Sequence, residues 1–265
     1  MHPLLLRQPE RVGFAGDWHG SADFAEVVLD AAAQKGADIV LQVGDFGLNR
    51  DQAGDQFADR VDARCKELGV AVLWVDGNHD DHDVLEQIPR FRGLGRIRDR
   101  LWHLPRGMRW QWGGLAWGAL GGAASVDRPT RQARSAWWPQ ESLTQADVAC
   151  WLQRGPVDVV VTHDAPAGAD VPGVSAAVGA LLWGFEAMAA SQANREKLAD
   201  ALVPTRPSFV VHGHFHVRYQ GTWLYPGGRA RIVGLGADGG DTAANLWVAD
   251  VGELRSITEQ MRNGH

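Results

Sequence analysis

The chain has 265 residues, 45% of them hydrophobic, and a formal net charge of −6, which allows one large core and argues against nucleic-acid or anionic-membrane binding through global charge. No apolar run reaches the length of a signal peptide or a transmembrane span, so we expect a single domain over residues 1–265, a cytoplasmic location and no membrane contact. Cys65 and Cys150 lie in helical segments without a CxxC partner and are expected to be buried small apolar residues.

Arg11 to Ala15 reads as a strand ending in a Gly-Asp turn. Phe24, Val27, Val28 and Ala31 then fall at helical spacing, with Gly36 placed to stop the helix. Asp38 to Val43 is a second strand, Phe57, Val61 and Leu68 mark a helix closed by Gly69, and Val70 to Val75 is a third strand. This alternation implies parallel pairing through crossover helices, an α/β architecture. Arg96 to His103, Met108 to Trp112 and Leu115 to Leu120 are short runs broken by Gly and Pro, which suggests antiparallel strands. Gly121 to Pro139 reads as an irregular loop, Thr144 and Asp147 as a capping box, and Val157 to Thr162 as a strand. Ser191 to Leu202 looks helical, Ser208 to Val211 is a strand, and Tyr219 to Val251 reads as further strands.

Five of these strands end in the same kind of cluster: Asp17-Trp18-His19, Gly44-Asp45, Gly77-Asn78-His79-Asp80, His163-Asp164 and His214-Phe215-His216. Ligands of open α/β sheets gather beyond the carboxyl ends of strands, so a fold that joins those ends would join the clusters. Imidazole and carboxylate suit divalent first-row metals, and a carboxylate can bridge two of them. Two such metals about 3.5–4 Å apart clamp a phosphoryl group and activate water near neutral pH. Any one of these residues alone is more often a turn or solvated group; the ordered set is not.

The set DWH, GD, GNHD, TH and GHFH, from Asp17 to His216, resembles the calcineurin-like metallophosphoesterases. The resemblance implies a two-sheet β-sandwich flanked by helices, a four-layer αββα fold with a dinuclear site between the sheet ends. It also implies that Asp17, His19 and His216 hold one metal, that Asn78, His163 and His214 hold the second, and that Asp45 bridges them. His79 would contact the phosphate and protonate the leaving oxygen, with metal-bound water as nucleophile. Many members carry an aspartate three residues after the bridging one, orienting that histidine; here the position is Leu48, and Asp80, Asp81 or Asp83 are the candidate replacements. Manganese is the first expectation for the two cations, with iron, zinc, cobalt and magnesium open.

Ten arginines and only two acids, Asp99 and Asp127, lie between Arg90 and Arg134, together with four of the 12 tryptophans, and two more, Trp137 and Trp138, follow just beyond. Arginine pairs with phosphate and indole stacks on bases, so Arg128, Arg131, Arg134, Trp137 and Trp138 are candidate substrate contacts on a wall within residues 121–142. Trp110, Trp112 and Trp117 alternate like sheet residues and belong to a core. His212 reads as a supporting histidine and Asp164 as a loop cap or a support for the ligands. The function expected is hydrolysis of a nucleotide or other small phosphoester, with no protein partner. A nuclease acting on single-stranded nucleic acid is the alternative, and a protein phosphatase or a metal-free scaffold ranks lower.

Overall fold

The computed structural model describes residues 1–263. A single turn, α1 (Pro3–Leu6), precedes β1 (Arg11–Ala15), α2 (Ala22–Gln34), β2 (Ile39–Gln42), α3 (Gln52–Leu68) and β3 (Ala71–Trp74). The three strands pair in parallel, which requires the crossovers that α2 and α3 supply. α3 begins where the Asp51 carboxylate accepts from the Gly54 amide and stops at Gly69, in the left-handed region. The buried face of α2 is offset from the one expected. Ala22, Ala25, Val28, Leu29 and Ala32 face the sheet, and Val27 is exposed. The core side of this helix is built largely from alanine, so large apolar residues misplace it.

The middle of the chain holds α4 (His82–Leu85), β4 (Arg90–Phe91), β5 (Leu94–Arg96), β6 (Leu101–His103), β7 (Met108–Trp112) and β8 (Leu115–Leu120). The run from Arg96 to His103 therefore splits into the end of β5 and all of β6, antiparallel to each other. Residues 121–139 are irregular apart from a 3-10 turn at Arg128–Thr130 and the start of a second at Pro139. α5 (Gln145–Leu152) opens on the Thr144–Asp147 capping box, and β9 (Val159–Thr162) follows. α6 (Ala176–Trp183) and α7 (Phe185–Thr205) come next, so the helix read at Ser191 to Leu202 is longer than its apolar pattern. β10 (Phe209–His212), β11 (Tyr219–Tyr225), β12 (Gly228–Gly234), α8 (Thr242–Asn245), β13 (Leu246–Asp250) and α9 (Val251–Asn263) complete the described chain. No helix among the described residues is long and apolar enough to cross a membrane.

The strands form two mixed sheets, one of seven strands in the order β13-β1-β2-β3-β6-β5-β4 and one of six in the order β11-β12-β10-β9-β8-β7. Alternation along the strands sorts their side chains into layers. Phe14, Leu41 and Leu73 of the first sheet pack with Trp117, Val161 and Val211 of the second, and Trp110 and Trp112 join that inner core. Val40, Val72 and Trp74 point outward onto α2 and α3. Val160, Val210 and Ile232 point outward toward Trp151 of α5 and Leu198 and Leu202 of α7. The result is a helix–sheet–sheet–helix sandwich. Each fully buried large apolar side chain contributes roughly 2 kcal/mol, and these three layers hold the strand ends in register. Cys65 is buried as expected, but Cys150 is exposed, because Val148 and Trp151 make the core side of α5.

Candidate metal centre

β1, β2, β3, β9 and β10 bring their carboxyl ends to one place. Asp17 and His19 follow β1, Asp45 follows β2, Asn78 and His79 follow β3, His163 follows β9, and His214 and His216 follow β10. Atoms of Asp17, His19, Asp45 and His216 able to ligate a metal ion all lie within 4.8 Å of one another. Asp45 Oδ2 is 3.4 Å from His19 Nε2 and 3.3 Å from His163 Nε2. His163 Nε2 in turn lies 3.0 Å from Asn78 Oδ1, and His216 Nε2 lies 3.1 Å from Asp17 Oδ2. The His214 amide donates to Asp17 Oδ2 at 3.0 Å, and its ring centroid is 5.1 Å from that of His163.

The backbone is bent to achieve this. Among the described residues, seven that are not glycine have positive φ, and four of them are His19, Asp45, His214 and His216. Left-handed backbone at such residues costs about 1 kcal/mol or more each and survives only where its surroundings enforce it. Two glycines are fixed by the same crowding. A Cβ on Gly77 would run into the Asp45 carboxylate, and one on Gly213 into the Asp17 carboxylate. The glycines that made the strand-end clusters recognisable thus make room for an acid from another strand end, beside it in the same sheet for Gly77 and across in the other sheet for Gly213.

The charge balance asks for a cation. His163 Nδ1 faces the Val43 carbonyl at 2.8 Å, and a carbonyl only accepts, so Nδ1 carries a proton and Nε2 is aimed at two oxygens. Burial opposes a charge on this ring, yet the Asp45 carboxylate overcomes it and raises the His163 pKa to about 10. His19 is raised to about 9, again against burial, by Asp45 and Asp238. Asp45, although buried, is held well below the usual carboxylate range by His163 and His19. His214 is pushed well below its ordinary value, first by burial and then by His163. Asp45 Oδ2 is buried without a hydrogen-bond partner. An orphaned carboxylate oxygen between two imidazole nitrogens fits a shared divalent cation, and protons fill in where one is missing.

Two supporting residues, Asp238 and Asn245, escaped the sequence. Asp238, after β12, lies 2.6 Å from His19 Nδ1 through its Oδ1. Asn245 Nδ2 donates to the Asp17 carbonyl at 3.2 Å and to the Gly236 carbonyl at 2.8 Å. Asp80 is fully buried and ties two strand ends together, accepting from Gly47 at 3.0 Å, Leu48 at 3.1 Å and Gly77 at 2.9 Å. It therefore touches Leu48 through the backbone. Asp81 caps α4 and pairs with Arg50, while Asp83 pairs with Arg50 and Arg134. None of the three candidate replacements hydrogen-bonds the His79 ring. Arg131 does, with Nη2 2.9 Å from His79 Nε2. A guanidinium only donates, so Nε2 accepts and the ring is neutral; burial and then Arg131 depress its pKa.

The remaining expectations divide. His79 borders the cluster, its ring edge-on to His19 with centroids 5.3 Å apart. Arg128 lies over the Trp137 ring at 4.2 Å, and Arg134 is spent on Asp83 at the surface at 3.0 Å. Trp138 is 2% exposed, its side chain packed inside the wall. His212 is supporting, its Nε2 2.7 Å from the Tyr219 hydroxyl, and burial lowers its pKa to about 4. Asp164 accepts from the Ala165 amide and from Asn194 Nδ2, each at 2.8 Å. His82 and His103 are both buried, His103 beside Asp76.

Two mixed sheets flanked by helices, with histidines and carboxylates of a metal-binding kind at their shared strand ends, define a metallophosphoesterase sandwich. Residues 10–218 match the family model of the calcineurin-like phosphoesterases, and the chain belongs to that family. Among solved structures it is similar to TT1561 of Thermus thermophilus, at 13% identity and a TM-score of 0.50 over 92% of this chain and 100% of that one. It is also similar to a dimetal phosphatase from Danio rerio, at 13% identity and a TM-score of 0.53 over 92% of this chain and 93% of that one. At such identities the likeness is one of fold. No curated protein matches the chain.

Proposed function

We propose that this protein hydrolyses a nucleotide or another small phosphoester at a dinuclear centre. Asp17, His19 and His216 would hold one divalent cation, Asn78, His163 and His214 the second, and Asp45 would serve both. The observation that carries this reading is the partnerless Asp45 Oδ2, set between His19 Nε2 at 3.4 Å and His163 Nε2 at 3.3 Å. When bound, the cations, manganese foremost, neutralise phosphoryl oxygens and lower the pKa of water enough to make it a nucleophile near pH 7.

The chain's own residues do the rest. Arg131 leans into the centre from the 121–142 wall, its side chain 15% exposed and its guanidinium shared between His79 and Asp127. A substrate phosphate takes the place of His79 as its partner, because a charge-assisted bond to phosphate is stronger than one to a neutral imidazole. His79, released at Nε2, would then take up a proton there from solvent and pass it to the leaving oxygen. The Arg128–Trp137 stack on the same wall offers an aromatic and cationic surface suited to a base.

The test is metal content of the purified protein, followed by assays with p-nitrophenyl phosphate, its bis ester, mononucleotides and dinucleoside polyphosphates in several metals. Two equivalents of divalent metal and metal-dependent turnover are expected. Turnover that survives complete metal removal would contradict the reading.

A further inference from the structure

Asn78 poses a problem that its histidine companions do not. The two ends of a primary amide have nearly the same shape, but only the oxygen can hold a cation. Asn78 is 2% exposed, so water does not decide which way it faces. Its Oδ1 lies 3.0 Å from His163 Nε2, and its Nδ2 donates to Ser125 Oγ at 3.1 Å. Ser125 Oγ donates to Glu141 Oε2 at 2.7 Å, and the Ser125 amide donates to Glu141 Oε1 at 2.7 Å. An ionised carboxylate only accepts, so every proton on this path has one direction: Asn78 N–H to Ser125, and Ser125 O–H to Glu141. Ser125 and Glu141 are themselves 3% and 2% exposed.

The path is also braced at both ends. Arg106 donates to the carbonyls of Gln140 and Glu141, each at 2.9 Å, and its Nη2 holds Asp76 Oδ2 at 2.7 Å, two residues before Asn78. The segment that carries Glu141 therefore cannot drift from the strand end that carries Asn78.

We propose that Ser125 and Glu141 are positioning residues that lock the Asn78 amide with its oxygen toward the second cation. They thereby set the affinity of that half of the centre. This rests on the dinuclear reading above. A sharp consequence concerns Glu141→Gln, which preserves shape. Both Glu141 oxygens accept from Ser125, and an amide has only one acceptor. If the new NH2 faces Ser125 Oγ, the hydroxyl must donate toward Asn78 and turns that amide around. If it faces the Ser125 amide, two donors collide and the pairing opens.

Calorimetric titration of the metal-free full chain with Mn2+ tests this, with Ser125→Ala, Ser125→Thr and Glu141→Gln alongside thermal melting of each metal-free variant. Wild type is expected to show two binding events. Ser125→Ala and Glu141→Gln should weaken one event by about 10–100-fold and leave the other, and Ser125→Thr, which keeps the hydroxyl, should restore it. The paramagnetic resonance signature of coupled manganese should vanish at stoichiometric metal in the two defective variants and return in Ser125→Thr. Two unchanged events in both variants would overturn the positioning role. So would equal weakening of both events together with a lowered metal-free melting temperature. A wild-type protein that binds no Mn2+ would instead overturn the dinuclear reading itself, a different and separable failure.

Discussion

His216 and His19 have side chains 49% and 23% exposed, whereas His163 is fully buried and Asn78 is 2% exposed. The side of the centre around His19 and His216 thus opens to solvent over a buried Asp17, and the side around Asn78 and His163 is sealed, with His214 half-buried at its edge. Their support differs accordingly. On the open side His19 is oriented by one partly exposed carboxylate, Asp238. On the sealed side His163 is fixed by a buried carbonyl and Asn78 by a buried serine and glutamate. A desolvated ligand must be oriented by the protein, because water cannot do it. An exposed one can exchange partners, and its cation should leave more readily.

Asp45→Asn should erase the difference, since both sides share that carboxylate. Metal should be lost from both, with turnover falling on the order of 10^3-fold, as expected when several kcal/mol of transition-state charge stabilisation disappear. Metal content and turnover measured together would check this; full metal loading with normal turnover would refute it. Asp238→Asn should separate the sides by loosening only the open one, by about tenfold in Mn2+ affinity, with the second binding event unchanged in calorimetry. Arg131→Ala with Arg134→Ala should leave both metals bound. It should raise the Michaelis constant several-fold, about the range of one lost charge-assisted hydrogen bond, and more for nucleotides than for p-nitrophenyl phosphate. Equal effects on both substrates would remove the wall from substrate selection.

A last effect concerns pH. His19 and His163 have folded-state pKa values of about 9 and about 10, above the ordinary 6.5. Their contribution to stability is complete below pH 6.5 and is lost as pH rises through 9 and 10. The metal-free protein should therefore melt at progressively lower temperature from pH 6.5 to 10. The Mn2+-loaded protein should not show that decline, because the cations displace those protons.

The seven proposed metal ligands were legible because each follows a short apolar run, and glycine stands just before Asp45, Asn78 and His214. Strand ends are where a parallel sheet collects its chemistry. The residues that orient them were not legible. Asp238 sits in Gly-Ala-Asp-Gly-Gly, the composition of any turn, and Ser125 and Glu141 reach Asn78 only through folding. In the fold, strands separated by crossover helices read cleanly. The alanine face of α2 did not, because large apolar residues are poor guides where a helix lies close to a sheet. Tyr219 to Val251 read as strands throughout, which missed α8 and gave no sign that β13 returns to pair with β1 of the first sheet. Such long-range pairing leaves no local trace.

Anomalous diffraction from crystals of this protein soaked in Mn2+ tests the central claim most directly. Two peaks are expected, one bounded by Asp17, His19, Asp45 and His216 and the other by Asp45, Asn78, His163 and His214. Absence of both peaks, or manganese bound away from Asp45, would contradict it.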